Sequence, residues 1–453
     1  MQKPTVDTTQ GAPPIDHAAA LAVLGGLMLL ATVKGASFVE TFDWFPFAGT
    51  LGIHTALYVA AVWLALRRGC AGALGLILLV AIGLRGIALT APVNLTTDIL
   101  RYVWDGRIQL AGFSPYLYVP ADPALAEFRG WEYYGSINQK DTSVTIYPPV
   151  AEMIFAVSAR LFDSIDGMRL VMTAFDLVTI AAIIAWLRAD GLPDSRVLIY
   201  AWHPLPVWEF ASSGHIDSAA TALLTLAIVA AVRGRQGWAG AALGAAVLTK
   251  YFPIVLAPAL WRRFGWRMPA AFVATVAALY IPYWYGAGSR VIGFLFSHLD
   301  NEGYGAGFGF HVVWVLRDFG LADIPGRHYT AVALAVMGGL GLWALVARRT
   351  EEIRADHLVV LAAAFIWLTS PHYPWYFGWM MPLLARWLSP SVLAFSLLAL
   401  LQNLPGDEAS LWFRSTTLYL ALFGTGLVLM LGEVAWRWRA QVALTTPSAA
   451  RRS

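Results

Sequence analysis

Apolar runs of roughly 16–24 residues recur along nearly the whole chain, each close to the length a helix needs to cross a hydrocarbon core. In lipid no water is at hand to pair backbone N–H and C=O groups, so such runs must be helices. The expected spans are 18–34, 50–66, 71–91, 168–187, 197–213, 218–232, 268–284, 329–347, 357–370, 375–388, 390–403 and 412–434. The expected fold is therefore an all-α polytopic membrane protein of about 12 crossings. Composition could have refuted this and does not. Of 453 residues, 58% are hydrophobic and 13% charged, against about 25% charged in soluble domains. So apolar a chain lacks the polar surface that water requires, and its 20 Trp and 17 Tyr suit membrane–water interfaces.

The formal charge of +3 implies no nucleic-acid partner. A single cysteine, Cys70, excludes an intrachain disulfide and gives no thiolate metal site. Residues 1–17 are polar, lack a signal peptide's basic start and small-residue cleavage site, and read as a cytoplasmic tail. Residues 18–436 read as one membrane-embedded domain and 437–453 as a second cytoplasmic tail.

Sidedness follows from Arg and Lys in short loops. Arg67–Arg68, Arg188 and Arg196, Arg233 and Arg235, Arg262–Arg263 and Arg267, Arg348–Arg349 and Arg354, and Arg437 and Arg439 mark an inner face. Glu40 and Asp43, segment 98–145, His215–Asp217, segments 286–327 and 372–376, and Asp407–Glu408 then lie outside. Segments 147–163 and 237–260 break this alternation when counted as simple crossings. Each carries a helix-breaking sequence, Tyr147-Pro148-Pro149 and Lys250-Tyr251-Phe252-Pro253. Both are expected to be broken or re-entrant, which is tolerated where backbone lines a cavity.

The longest polar interruption, 98–146, opens with Asp98-Ile99-Leu100-Arg101-Tyr102-Val103-Trp104-Asp105. Helical spacing sets Asp98, Arg101, Tyr102 and Asp105 on one face. Gly112-Phe113-Ser114-Pro115-Tyr116 and Thr145-Ile146-Tyr147-Pro148-Pro149 follow. Further along come Gly214-His215-Ile216-Asp217, the Gly- and Ala-rich run 239–244 leading to Lys250, and Ser370-Pro371-His372-Tyr373-Pro374-Trp375-Tyr376.

This order of elements resembles the GT-C superfamily of lipid-phosphate-sugar-dependent glycosyltransferases. It is most similar to the polyprenyl-phosphate-mannose-dependent mannosyltransferase branch, over about residues 85 to 390. Ser114 stands where that pattern usually has Asn. The resemblance implies a catalytic outer loop at 98–146, and Asp98 as general base for an acceptor hydroxyl, with inversion at the anomeric carbon. A lipid phosphate is a good leaving group, so one carboxylate suffices. It also implies a polyprenyl-phosphate sugar donor and a glycolipid or polysaccharide acceptor in the bilayer.

Each site residue carries a plainer alternative. Asp98 could simply be a helix N-cap. Asp105 could be a second acid or sugar ligand, or pair with Arg101 or Arg107. Arg101, Tyr102 and Tyr147 are placed against the substrate. Lys250, a costly cation in an apolar run, suits the donor phosphate or snorkels to the interface. His215 and Asp217 could bind sugar or phosphate or cap a loop; two ligands are a weak metal signal. His372, Tyr373, Trp375 and Tyr376 form a sugar-stacking cluster or an interface belt. Arg85, Arg160, Arg169 and Asp176 lie in or near apolar stretches and could pair among themselves. Segment 289–311, with His298, Asp300, Asn301 and Glu302, reads as a flap or acceptor loop.

No Walker loop, dinucleotide fingerprint or His-Glu-x-x-His site is present in the sequence. No cofactor is indicated, and a divalent metal stays open. The expected activity is transfer of one sugar, mannose by resemblance, at the periplasmic face of a bacterial inner membrane. The rival is a transporter or flippase of lipid-linked saccharides, which would gather polar residues near the midplane between related halves. A ligase moving a whole oligosaccharide is a third reading, with a roomier cavity.

Overall fold

The computed structural model describes residues 17–68, 70, 72–261, 265–293, 295–347, 352–403 and 416–445. Arg262–Arg263, Arg348–Arg349, Asp407–Glu408, residues 1–16 of the first expected tail and 446–453 of the second lie outside the described residues. Among the described residues the fold is all-helical. It begins with α1 (His17–Thr41), α2 (Trp44–Arg68) and α3 (Leu74–Ala88). The outer loop starts with α4 (Asp98–Leu110) and ends at α5 (Pro149–Leu161), followed by α6 (Ile165–Ala189). A short α7 (Leu198–Ala201) precedes a π-helical turn, Pro206–Ser212, and α8 (Asp217–Val232). Next come α9 (Gln236–Val247), α10 (Ala257–Leu260) and α11 (Arg267–Ala287). Two short helices, α12 (Leu295–Asn301) and α13 (His311–Asp318), lead into α14 (Gly326–Val346) and α15 (Ala355–Thr369). The chain closes with α16 (Met381–Arg386), α17 (Pro390–Leu398), α18 (Thr416–Tyr419) and α19 (Thr425–Thr445).

Among the described residues, six helical stretches are long and apolar enough to cross a membrane: His17–Thr41, Trp44–Leu66, Ile165–Ala189, Arg267–Val291, Gly326–Val346 and Thr416–Arg439. The chain is thus a polytopic α-helical membrane protein. Leu334 and Leu342 on α14, and Val428, Leu431 and Val434 on α19, remain exposed. Their only suitable solvent is lipid.

Several stretches that the sequence presents as single spans are not single long helices. The stretches read as 197–213 and 218–232 include one sharply bent pair, Pro206–Ser212 and Asp217–Val232, meeting at 116°. The stretch 375–388 is a 3-10 turn, Pro374–Met380, joined to six-residue α16. Pro374 and Pro382 remove the N–H groups a continuous helix would need. Segment 147–163 holds only α5, whose 13 residues reach roughly 20 Å, short of a crossing. Segment 237–260 is broken between α9 and the 3-10 turn Phe252–Leu256, so Lys250 sits in the break.

Close helix contacts depend on missing side chains. A Cβ on Gly240 would lie 2.1 Å from the Met268 carbonyl oxygen, so α9 and α11 approach with backbones nearly touching. Gly244, one turn on, has Phe272 O at 3.2 Å from the same construction. This is the small-xxx-small solution for packing helices in lipid. Two fully buried arginines in these helices are paired, as their desolvation demands. Arg85 Nε meets Asp176 Oδ2 at 2.5 Å, both fully buried, and Tyr200 donates to Asp176 Oδ1. Arg169 pairs with Asp166 at 3.0 Å and donates to Ala88 O.

The basic loop residues Arg188, Arg196 and Arg386 cluster away from the site residues. Arg188 pairs with Asp194, Arg386 with Asp190, and Arg196 donates to Ala385 O at 2.7 Å. The outer loop folds back over α4 and α5 through Asn138, Ser143 and Thr145.

Candidate active site

The site begins at the first turn of α4. Asp98 is its first residue, and a carboxylate is favoured there by the positive end of the helix. It does not cap the helix; Thr97 holds the N-cap position, with no side-chain cap bond. Asp98 Oδ1 accepts from Asn138 Nδ2 at 3.0 Å, while Asn138 Oδ1 accepts from Thr97 Oγ1 at 2.6 Å. The outer loop thereby fixes the plane of the carboxylate. Asp98 is half-buried and lines a cavity of about 310 Å³.

Arg101, Asn138, Tyr147, Lys250, His298 and Glu302 share that cavity, together with Tyr373, Trp375 and Tyr376. The helices and loops supplying them are far apart in sequence. A second cavity, about 390 Å³, shares Tyr147, Lys250, His298, Glu302, Tyr373 and Tyr376. It extends as an apolar groove between α14 and α15, walled by Ala333, Leu334, Met337, Phe365 and Leu368. His372 stands on the second cavity, its ring nitrogens 3.0 Å from Glu302 Oε2 and 3.0 Å from Gly309 O.

Lys250 reaches both cavities but is not a lone cation. Its Nζ lies 2.7 Å from Asp217 Oδ2 and 4.4 Å from the Tyr376 ring centroid. Asp217 is fully buried and its Oδ1 has no hydrogen-bond partner, so it serves Lys250 from behind. The sequence reading sets Asp217 against the substrate; the structure sets it on Lys250. His215 is likewise buried, not at the cavity wall. It contacts Glu209 O at 3.0 Å and Thr96 Oγ1 at 3.2 Å, and stacks on Trp375 with centroids 3.9 Å apart. Trp375 in turn stacks on Tyr373 at 4.6 Å. His215 therefore braces an aromatic wall.

Tyr102 and Asp105 also lie behind the cavity, fully buried. The shared helix face expected for Asp98, Arg101, Tyr102 and Asp105 is covered beyond its first turn. Asp105 accepts from Arg101 Nε at 2.8 and 3.0 Å, while Arg107 pairs with Asp163 at 2.6 Å. Tyr102 packs flat on Phe155 at 4.5 Å and its hydroxyl accepts from Tyr147 at 3.4 Å. Burial raises the pKa of both phenols, so they stay neutral.

Sequence reasoning left His298 and Glu302 within a flap. They are four residues apart on and just beyond α12, and both face the cavities. Burial lowers the His298 pKa, so the ring is held neutral. The i, i+4 spacing of His and Glu was the available signal. Asn138, Glu152, Thr145 and Gln109 gave none. Among the described residues, no group of three or more His, Cys, Asp or Glu side chains is arranged to hold a metal.

The site thus combines a positioned carboxylate, a polar cavity and an adjoining apolar groove. No curated protein and no solved structure matches the chain. Residues 145–371, half the chain and including Tyr147, Lys250, His298 and Glu302, match glycosyltransferase family 87. The chain belongs to glycosyltransferase family 87, a family of membrane glycosyltransferases of the GT-C type.

Proposed function

We propose that the protein transfers a single sugar, mannose by its resemblance, from a polyprenyl phosphate to an acceptor hydroxyl with inversion. One observation carries this reading: the half-buried Asp98 stands in a polar cavity that shares walls with an apolar groove. The apolar groove suits a prenyl tail and the polar cavity a phosphate–sugar head group. In the reaction the acceptor oxygen attacks the anomeric carbon and Asp98 takes its proton. The anomeric carbon–phosphate oxygen bond breaks, and the polyprenyl phosphate leaves with the electron pair. Arg101, Lys250 and His298 surround the leaving phosphate; Tyr373, Trp375 and Tyr376 form an aromatic wall beside the sugars.

The acceptor is a glycolipid or growing polysaccharide, and the site opens on the periplasmic side of a bacterial inner membrane. The basic loops support that sidedness. The test uses detergent-purified protein with a short-chain polyprenyl-phosphate mannose and, separately, a nucleotide-linked mannose. Transfer to a glycolipid from the lipid donor alone is expected. Transfer from the nucleotide sugar alone would overturn the donor assignment. Movement of lipid-linked saccharide across vesicles without transfer would favour the flippase.

A further inference from the structure

Behind Arg101 lies a buried acidic pair that the transfer chemistry above does not use. Asp105 on α4 and Glu152 on α5 are both fully buried. They meet because α4 and α5 touch: a Cβ on Gly106 would stand 2.4 Å from the Phe155 carbonyl oxygen. Glu152 Oε1 accepts from Thr145 Oγ1 at 2.5 Å, and Oε2 accepts from Gln109 Nε2 at 2.8 Å. Gln109 Nε2 also donates to Asp105 O at 3.0 Å, so one amide bridges the two acidic residues, and the Asp105 charge acts on Glu152. Against them stands one cation. Arg101 Nε contacts both Asp105 oxygens, Nη1 donates to Ser143 O at 2.9 Å, and Nη2 is buried without a hydrogen-bond partner.

The charge count decides what such a cluster can hold. With both carboxylates ionised it carries a buried net charge of minus one, immediately behind the wall that Arg101 gives the cavity. Two adjacent buried carboxylates do not both ionise when a proton can bridge them. We propose that Asp105 and Glu152 share one proton, and that Glu152 is thereby a positioning residue. The singly protonated pair holds Arg101 in place, and the three residues together leave the cavity wall without excess negative charge. That condition favours an anionic head group beside Asp98; this last step rests on the lipid-phosphate reading above. Burial is the main cause raising the pKa of both carboxyls, and Arg101 opposes it at Asp105.

The other titratable groups facing the pair are phenols: Tyr116 of the outer loop and Tyr283 of α11. Tyr116 donates to Tyr147 O at 2.7 Å and Tyr283 donates to Gln109 Oε1 at 2.9 Å. Phenols titrate near 10, so neither competes for the proton at neutral pH. Raising the pH removes the shared proton, and the negative charge returns behind Arg101.

Two measurements test this on full-length protein in detergent. The first is the infrared carbonyl band of a protonated carboxyl. Wild type should show it at neutral pH and lose it as pH rises, and Glu152→Gln should lack it. A wild-type spectrum whose only such band survives in Glu152→Gln overturns the proposal, whether or not any lipid binds. The second is binding of a short-chain polyprenyl phosphate, read by tryptophan fluorescence. Wild-type affinity should fall roughly tenfold over the pH interval in which the carboxyl band is lost, the change produced by a coupling of about one pKa unit. Glu152→Gln should bind like wild type at neutral pH and remove that fall. Glu152→Ala, which strands Thr145 and Gln109, should bind more weakly throughout. Weak binding by Glu152→Gln equal to Glu152→Ala would overturn the proposal. No binding by wild type would instead reject the lipid-phosphate reading, and the infrared result would still decide the proton.

Discussion

Replacing Lys250 with methionine keeps the length of the side chain and removes its charge. In the protein as it stands, Nζ and Asp217 Oδ2 are 2.7 Å apart, with the carboxylate fully buried and Lys250 only 14% exposed. At an effective dielectric of about 20, that separation is worth roughly 6 kcal/mol of attraction before desolvation is counted. Lys250 bonds one oxygen of the Asp217 carboxylate, and the other oxygen has no hydrogen-bond partner. The variant therefore strands a buried charge, a change that costs about 3–5 kcal/mol. The companion Asp217→Asn leaves a lysine that can still lie over Tyr376, and should cost less. The double variant removes both charges and should recover most of the loss. Thermal unfolding in detergent of wild type, both single variants and the double variant gives the coupling energy. A Lys250→Met cost below about 1 kcal/mol, or no recovery in the double variant, would refute a charge-compensating role.

Gly106→Ala places a Cβ against the Phe155 backbone, 2.4 Å from its oxygen. It should destabilise by about 1–3 kcal/mol, through forced separation of α4 and α5, in the same unfolding assay. Asn138→Ala removes the bond that orients Asp98. A hydrogen bond to a charged group is worth about 1.5–3 kcal/mol, so kcat should fall by roughly tenfold or more with little change in unfolding temperature. Trp375→Ala removes a ring stacked on both His215 and Tyr373. Loss of about 1 kcal/mol of ring stacking should raise KM roughly fivefold in a transfer assay.

Much of the site could be read before folding because membrane chemistry makes polar residues conspicuous. Asp98, Lys250, Tyr373, Trp375 and Tyr376 stood out from apolar surroundings, and all line one cavity. Lys250 and Asp217 were each singled out, but as separate ligands. Their 33-residue separation hides a pairing made by the turn into α8 and the break after α9. Glu152 was invisible for a different reason. After Tyr147-Pro148-Pro149 it looks like a solvated first-turn carboxylate, and only the α4–α5 contact permitted by Gly106 buries it against Asp105. Hydropathy located apolar segments but cannot sense a bend. Pro206–Ser212 and Asp217–Val232 are as apolar as straight spans, yet meet at 116°.

The central claim is that Asp98 takes the acceptor proton. The direct measurement is single-turnover transfer of mannose from a short-chain polyprenyl phosphate, comparing wild type with Asp98→Asn at saturating donor. Asparagine keeps the shape and can still bond Asn138, but it cannot take a proton. A general base contributes about 10²–10⁴ in rate, so transfer should fall by that factor while lipid binding and unfolding temperature stay near wild type. An Asp98→Asn variant that transfers within about threefold of wild type would contradict the account, because a loss that small is less than a general base supplies.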